Sequence, residues 1–357
     1  MQGLPIYLTS FFATGTLIYL LSPLSRRIGL VDSPGGHKAH EGQIPLVGGI
    51  AMFCGFLFTV LALQQPLFGY RPLFVGSALL VIVGVMDDFK ELCPNTRFLA
   101  QISAGLIMML MGDLYLQTLG PLVGTGDIML GLWTFPFTVF SVVGVINAIN
   151  MLDGIDGLAG GLSGLAFLVL GGTALGAGQE GAATMLLTLA TVTIAFLFFN
   201  LRIPWRSRAA VFMGDAGSMF LGFALAWFVI ELSQGPSQAI APVTALWIVA
   251  IPLMDTVCIM FRRILKGRSP FLADREHLHH LIQTVGLSSA QSVAVMIGIS
   301  GLSSSVGLYA FYAGVPDRYL FVAFLVVFGL YYLILDVSWR MIAKKSQTTC
   351  TCASKTS

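Results

Sequence analysis

Apolar residues run along this chain in blocks long enough to cross a hydrocarbon core of roughly 30 Å, with the polar residues confined to short stretches between them. The blocks fall at 4–24, 46–64, 71–86, 97–112, 134–150, 157–177, 182–200, 210–231, 240–261, 291–312 and 319–341. Reading each as a membrane helix predicts an all-α integral membrane protein, a polytopic bundle of about eleven transmembrane helices. The bundle forms one domain over 1–343, and 344–357 is expected to be a disordered tail. No internal repeat is visible.

Composition agrees with this pattern. Charged residues are 10% of the 357 and hydrophobic residues 56%, too few charges to cover a water-exposed surface. A net charge of +2 without a basic patch excludes a nucleic-acid partner. The five cysteines stand singly or as the Cys350/Cys352 pair near the end, which is no disulfide framework.

Charge placement sets the sidedness. No Lys or Arg precedes the first block, while Arg26 and Arg27 follow it, the reverse of a cleavable signal peptide. The block is therefore expected to stay, with its N-terminus outside. Alternate crossings then put 25–45, 87–96, 151–156, 201–209, 262–290 and the tail in the cytoplasm. With border residues Arg97 and Arg340 included, these hold 17 of the 19 basic residues, which is the positive-inside asymmetry.

The reactive side chains collect on the same side. DDFKE at 87–91 places Asp87, Asp88 and Glu91 at a helix end, able to hold a hard divalent ion or simply to stop a membrane helix. NAINMLDGIDGLAGG at 147–161 brings Asn147, Asn150, Asp153 and Asp156 to a Gly-punctuated turn; capping explains any one of them better than all four. FMGDAGSMFLGF at 212–223 sets Asp215 among small residues at a helix start, as an N-cap or a metal ligand.

The loop 262–290 holds Arg263 and, in DREHLHHLI, His277, His279 and His280. A helix over 274–282 would put His277 and His280 on one face, and the surrounding arginines favour phosphate over zinc. Lys38 and His40, in HKAH ahead of IPLVGG, join the same side. Asp255 lies well inside a block, either functional or structurally paired. Joining a nucleotide-sugar diphosphate to a lipid phosphate would use this whole set, because two polyanions need a divalent ion, basic side chains and carboxylates.

DDFKE, NMLDGIDGLAGG, GDAGS and HLHH in this order resemble the polyprenyl-phosphate N-acetylhexosamine-1-phosphate transferases, over about Asp32 to Leu281. HLHH, HKAH and IPLVGG resemble the GlcNAc branch of that superfamily. The resemblance implies UDP-GlcNAc as donor, undecaprenyl phosphate as acceptor, Mg²⁺ or Mn²⁺ as cofactor, and a site at the cytoplasmic face of the bacterial inner membrane. It implies that the chain starts a lipid-linked surface polysaccharide such as O-antigen or common antigen. It further implies that Asp215 and Asp88 hold the metal and that Asp87, Asp88 and Asp156 are catalytic. Lys38, His40, Asn147, Asn150, Asp153, Arg263, His277, His279 and His280 would bind substrate. The family motif is DDxxD, and this chain has Glu91 in its last place. Another UDP-N-acetylhexosamine is the nearest alternative donor, and a homo-oligomer is compatible with the sequence. A membrane transporter is the rival class, but it calls for acids near the midplane and related halves, whereas these acids gather at one face.

Overall fold

The computed structural model describes residues 3–32, 42–63, 69–124, 126–202, 206, 208–267, 269 and 277–353, with side chains up to 342. Lys38 and His40, expected to bind substrate, lie outside the described residues, as does His37.

Every apolar block is helical. The helices are α1 (Gly3–Ile28), α2 (Gly48–Ala62), α3 (Arg71–Lys90), α4 (Pro94–Gly112), α5 (Thr134–Leu152), α6 (Leu158–Gly176), α7 (Glu180–Asn200), α8 (Gly214–Ser233), α9 (Pro242–Ile248), α10 (Ala250–Leu265), α11 (Leu278–Thr284), α12 (Ser289–Tyr312) and α13 (Asp317–Ala353). Among the described residues, eight helices are long and apolar enough to cross a membrane, and a ninth span results if α9 and α10 are taken together. The chain is a multi-pass membrane protein. The shortfall from eleven lies at α2, which is apolar but has 15 residues, and at α4, whose first turn holds Asn95, Thr96 and Arg97.

Two further details depart from the sequence reading. The block 240–261 is not one straight helix, because α9 and α10 meet at an 82° bend. Pro252, in the first turn of α10, has no N–H to donate to the Ile248 carbonyl, so the α-helical ladder breaks there. In addition, α13 continues through 344–353, the stretch read as a tail. The strands are two short pieces, β1 (Val31–Asp32) and β2 (Ile44–Pro45), paired antiparallel with Val31 opposite Pro45.

Helix α8 is the axis of the bundle, with 89% of its spanning window buried. Lipid tails are as apolar as leucine, so membrane helices associate through close packing and not through the hydrophobic effect. Small residues allow that packing here. A Cβ at Gly49 of α2 would overlap the backbone of Gly217, one at Gly84 of α3 that of Ala216, and one at Gly222 of α8 that of Ile146 in α5. Hydrogen bonds tie α2 to the same place, with Gly48 N–H donating to Phe212 O at 3.0 Å and Gly49 N–H to Met213 O at 3.1 Å. Three helices are thus drawn against α8, two of them at its N-terminal end.

Candidate active site

The acidic motifs meet at the end of the bundle where α3 and α5 finish and α4, α6 and α8 begin. Helix α3 runs to Lys90, so Asp87 and Asp88 sit in its last turn, and Glu91 closes it in a left-handed conformation with φ 48°. Asp87 is buried; its Oδ1 accepts the Leu92 N–H at 2.6 Å and its Oδ2 accepts Arg97 Nη1 at 3.0 Å. The same Arg97 nitrogen lies 3.4 Å from Asp215 Oδ2. Asp87 and Asp215 thus face each other across one guanidinium nitrogen. Two carboxylates in that position repel each other unless a cation lies between them.

Asp88 plays a different part. Its Oδ1 accepts the backbone N–H of Asp215 at 2.9 Å and its Oδ2 faces that of Ala216 at 3.5 Å. Met213, the N-cap residue of α8, makes no side-chain cap, so a carboxylate from α3 satisfies this helix start. Asp215 is itself the second residue of α8 and not its N-cap. Its Oδ1 accepts Asn150 Nδ2 at 2.6 Å, and the same nitrogen reaches Ser218 Oγ at 2.8 Å. The structure therefore brings Asp87, Asp88, Asp215 and Asn150 together.

Asn147 stands one turn before Asn150 and donates to Gln101 Oε1 at 2.6 Å. Asp153 follows α5 and is exposed to solvent. Asp156 is paired with Arg202 Nε at 2.7 Å, not with the aspartates of α3.

A cavity of about 350 Å³ opens beside this cluster. Arg97, Gln101, Asn147 and Asn150 line one side, and Arg263, His277, His279 and His280 line another. The carboxylates are not among its lining residues; Asp215 reaches its wall through Arg97 and Asn150. Helix α11 starts at Leu278 with His277 as its N-cap, and 274–276 of the expected helix lie outside the described residues. His279 is almost fully buried beside Gly154, and among the described residues neither ring nitrogen has a hydrogen-bond partner. Burial, then the charges of His280 and His277, push its pKa down to about 3. Arg263 is buried at the cavity wall.

Reading motifs in the sequence did not pick out Arg97, Gln101 or Ser218 as site residues. An arginine and a glutamine four residues apart on one face of an apolar helix were the available signal.

Among the described residues no group of three or more His, Cys, Asp or Glu side chains is arranged to hold a metal ion. The donor set nevertheless fits Mg²⁺, which takes oxygen ligands, needs only one or two carboxylates, and fills its remaining positions with water and substrate phosphate. The facing Asp87 and Asp215 oxygens offer such a pair.

Polar and ionisable groups from α3, α4, α5, α8, α10 and α11 thus gather around a cavity at one end of a membrane bundle. Comparison with known proteins specifies the class. Residues 70–233 match the family described as glycosyl transferase family 4. The chain is 39% identical over 333 residues to the undecaprenyl-phosphate alpha-N-acetylglucosaminyl 1-phosphate transferase of Escherichia coli strain K12, covering 93% of this chain and 90% of that protein. It is 39% identical over 339 residues to the enzyme of the same name from Haemophilus influenzae, 95% of each chain, and 38% identical over 332 residues to that from Yersinia pestis, 93% and 91%. The chain belongs to glycosyl transferase family 4.

Proposed function

We propose that this enzyme transfers GlcNAc 1-phosphate from UDP-GlcNAc to undecaprenyl phosphate, releasing UMP, at the cytoplasmic face of the bacterial inner membrane. The observation that carries the reading is the 39% identity, over nearly the full length of both chains, to transferases named for that reaction. The convergence of carboxylates, amides, arginines and histidines at one helix-end face supports it. Eleven crossings with the N-terminus outside would put that face in the cytoplasm, where 17 of the 19 basic residues would also lie. The downstream role is the first step of a lipid-linked surface polysaccharide such as O-antigen or common antigen.

In the reaction an oxygen of the lipid phosphate bonds to the sugar-bearing phosphorus of the donor, and the bond from that phosphorus to the UMP oxygen breaks. Asp215 would hold Mg²⁺ or Mn²⁺, which when bound neutralises phosphate charge, with Asp87 in place of the expected Asp88, whose oxygens face the Asp215 and Ala216 N–H groups. Asp88 anchors the α8 start through backbone N–H groups, so its part is to place Asp215. Asn150 orients the Asp215 carboxylate, and Arg97 supplies positive charge at the cavity wall. Arg263 and the three histidines face the same space and would hold the donor. Asp153 and Asp156 flank the α6 entrance, with Asp156 held by Arg202.

The test is UMP release by purified protein given undecaprenyl phosphate, Mg²⁺ and a panel of UDP-sugars. Turnover is expected with UDP-GlcNAc. Turnover with a different UDP-N-acetylhexosamine alone would overturn the choice of sugar, and no UMP from any donor would overturn the reaction.

A further inference from the structure

Asp255 is fully buried in α10, on a different helix from the carboxylates of the metal pair. A carboxylate so placed costs several kcal/mol unless its oxygens are hydrogen-bonded, and three donors meet this one. His277 Nδ1 lies 2.7 Å from Oδ2. The Leu278 N–H donates to Oδ1 at 3.0 Å, and the Tyr331 hydroxyl of α13 donates to the same oxygen at 2.8 Å.

The consequence falls on His277. A carboxylate only accepts, so the proton of the contact must be on Nδ1, and the ring edge carrying Nε2 is left to the cavity that His277 lines. His279 stacks on the ring at 5.5 Å between centroids and 14° between planes, which limits its rotation. Both the proton position and the ring orientation are therefore set from behind, as an outer carboxylate sets a metal-binding or catalytic histidine.

We propose that Tyr331 and Asp255 are positioning residues that fix the His277 ring with Nε2 toward the diphosphate of the nucleotide-sugar donor, which makes the last helix part of the donor site. The inference rests on the proposed donor chemistry. Asp255 also caps α11 through Leu278, so Asp255→Asn alone would mix a local folding effect with a positioning one. Tyr331→Phe removes a single hydroxyl and leaves that cap in place.

The experiment compares wild type, Tyr331→Phe and Tyr332→Phe in UMP release, with each substrate varied separately. Tyr332 packs on Phe261 at 5.7 Å and serves as the neighbouring control. For Tyr331→Phe the KM for UDP-GlcNAc should rise about 3- to 10-fold, less than the full worth of a hydrogen bond to a charged group because Asp255 keeps its contacts to His277 and the Leu278 N–H, with kcat and the KM for undecaprenyl phosphate within twofold of wild type. Tyr332→Phe should match wild type. A Tyr331→Phe enzyme with wild-type donor KM, or one whose two KM values and melting temperature all shift together, overturns the positioning role while leaving the transferase reading intact. A wild type that releases no UMP overturns the transferase reading instead.

Discussion

The two ends of α8 both carry a half-buried carboxylate, yet they are built on opposite principles. At the far end each oxygen of Glu231 has one neutral donor, Tyr70 Oη at 2.8 Å and Trp227 Nε1 at 2.9 Å. Nearby, Gln234 Oε1 accepts the N–H groups of Gln117 and Thr118, closing the long loop over that end. Sixteen residues earlier in the helix, about 24 Å along its axis at about 1.5 Å per residue, Asp215 meets Asp87 with one arginine between them. A carboxylate matched donor for donor is a clamp. Carboxylates left with more negative charge than their partners cancel, beside an open cavity, are poised for a cation and a polyanion.

The strongest challenge to this contrast is Asp215→Asn. The substitution keeps the shape and one acceptor oxygen but removes the charge, so UMP release should fall at least 100-fold while the protein inserts and melts as wild type. An active variant would reduce Asp215 to a clamp like Glu231. Next comes Arg97→Gln, which removes the cation shared by two carboxylates. Here kcat/KM should fall about 10- to 100-fold, measured on the same release of UMP. If kcat held and only the melting temperature dropped, Arg97 would be a structural counter-ion and the two ends would be alike.

Much of this end was legible beforehand because its motifs are local. DDFKE and GDAGS each announce a helix end carrying carboxylates, and the alternation of blocks puts both on one face. Their division of labour was not legible. Asp88 caps a helix 127 residues away and Asn150 holds a carboxylate 65 residues away, and such partners follow only from packing. IPLVGG, read as a mark of the sugar branch, has a packing job in its two glycines, because only they let α2 approach the start of α8. The bend after α9 had its cause in view at Pro252, hidden inside an otherwise continuous apolar block. Asp255, ambiguous in the sequence, pairs with His277.

A smaller effect tests the site end through pH. His279 is neutral in the fold, with a pKa near 3, whereas in the unfolded chain it titrates near the ordinary 6.5. The unfolded state therefore binds the extra proton between those values. Its contribution to stability is fully present above pH 6.5 and falls by about 2 kcal/mol by pH 5. Melting temperature in detergent should drop over that interval, and His279→Gln should flatten the drop. His277, His280 and Asp255 act on the same ring, so a wild type with no drop would mean that a neighbour compensates and that the ring is not held as a bare buried imidazole.

The smallest predicted change is at the far end, where Tyr70→Phe deletes one donor to Glu231. The bond joins the start of α3 to the end of α8, and Trp227, also on α8, keeps hold of the other oxygen. A hydroxyl-to-carboxylate bond is worth about 1.5 to 3 kcal/mol net, less where water can replace the lost donor, as it can at a half-buried helix end. The melting temperature should fall by a few degrees, with KM and kcat within twofold of wild type. A tenfold loss of turnover at unchanged melting temperature would show instead that α8 transmits its far end to Asp215. A matched carboxylate at one end of the helix would then help tune the crowded pair at the other, and the sharp division between clamp and site would give way.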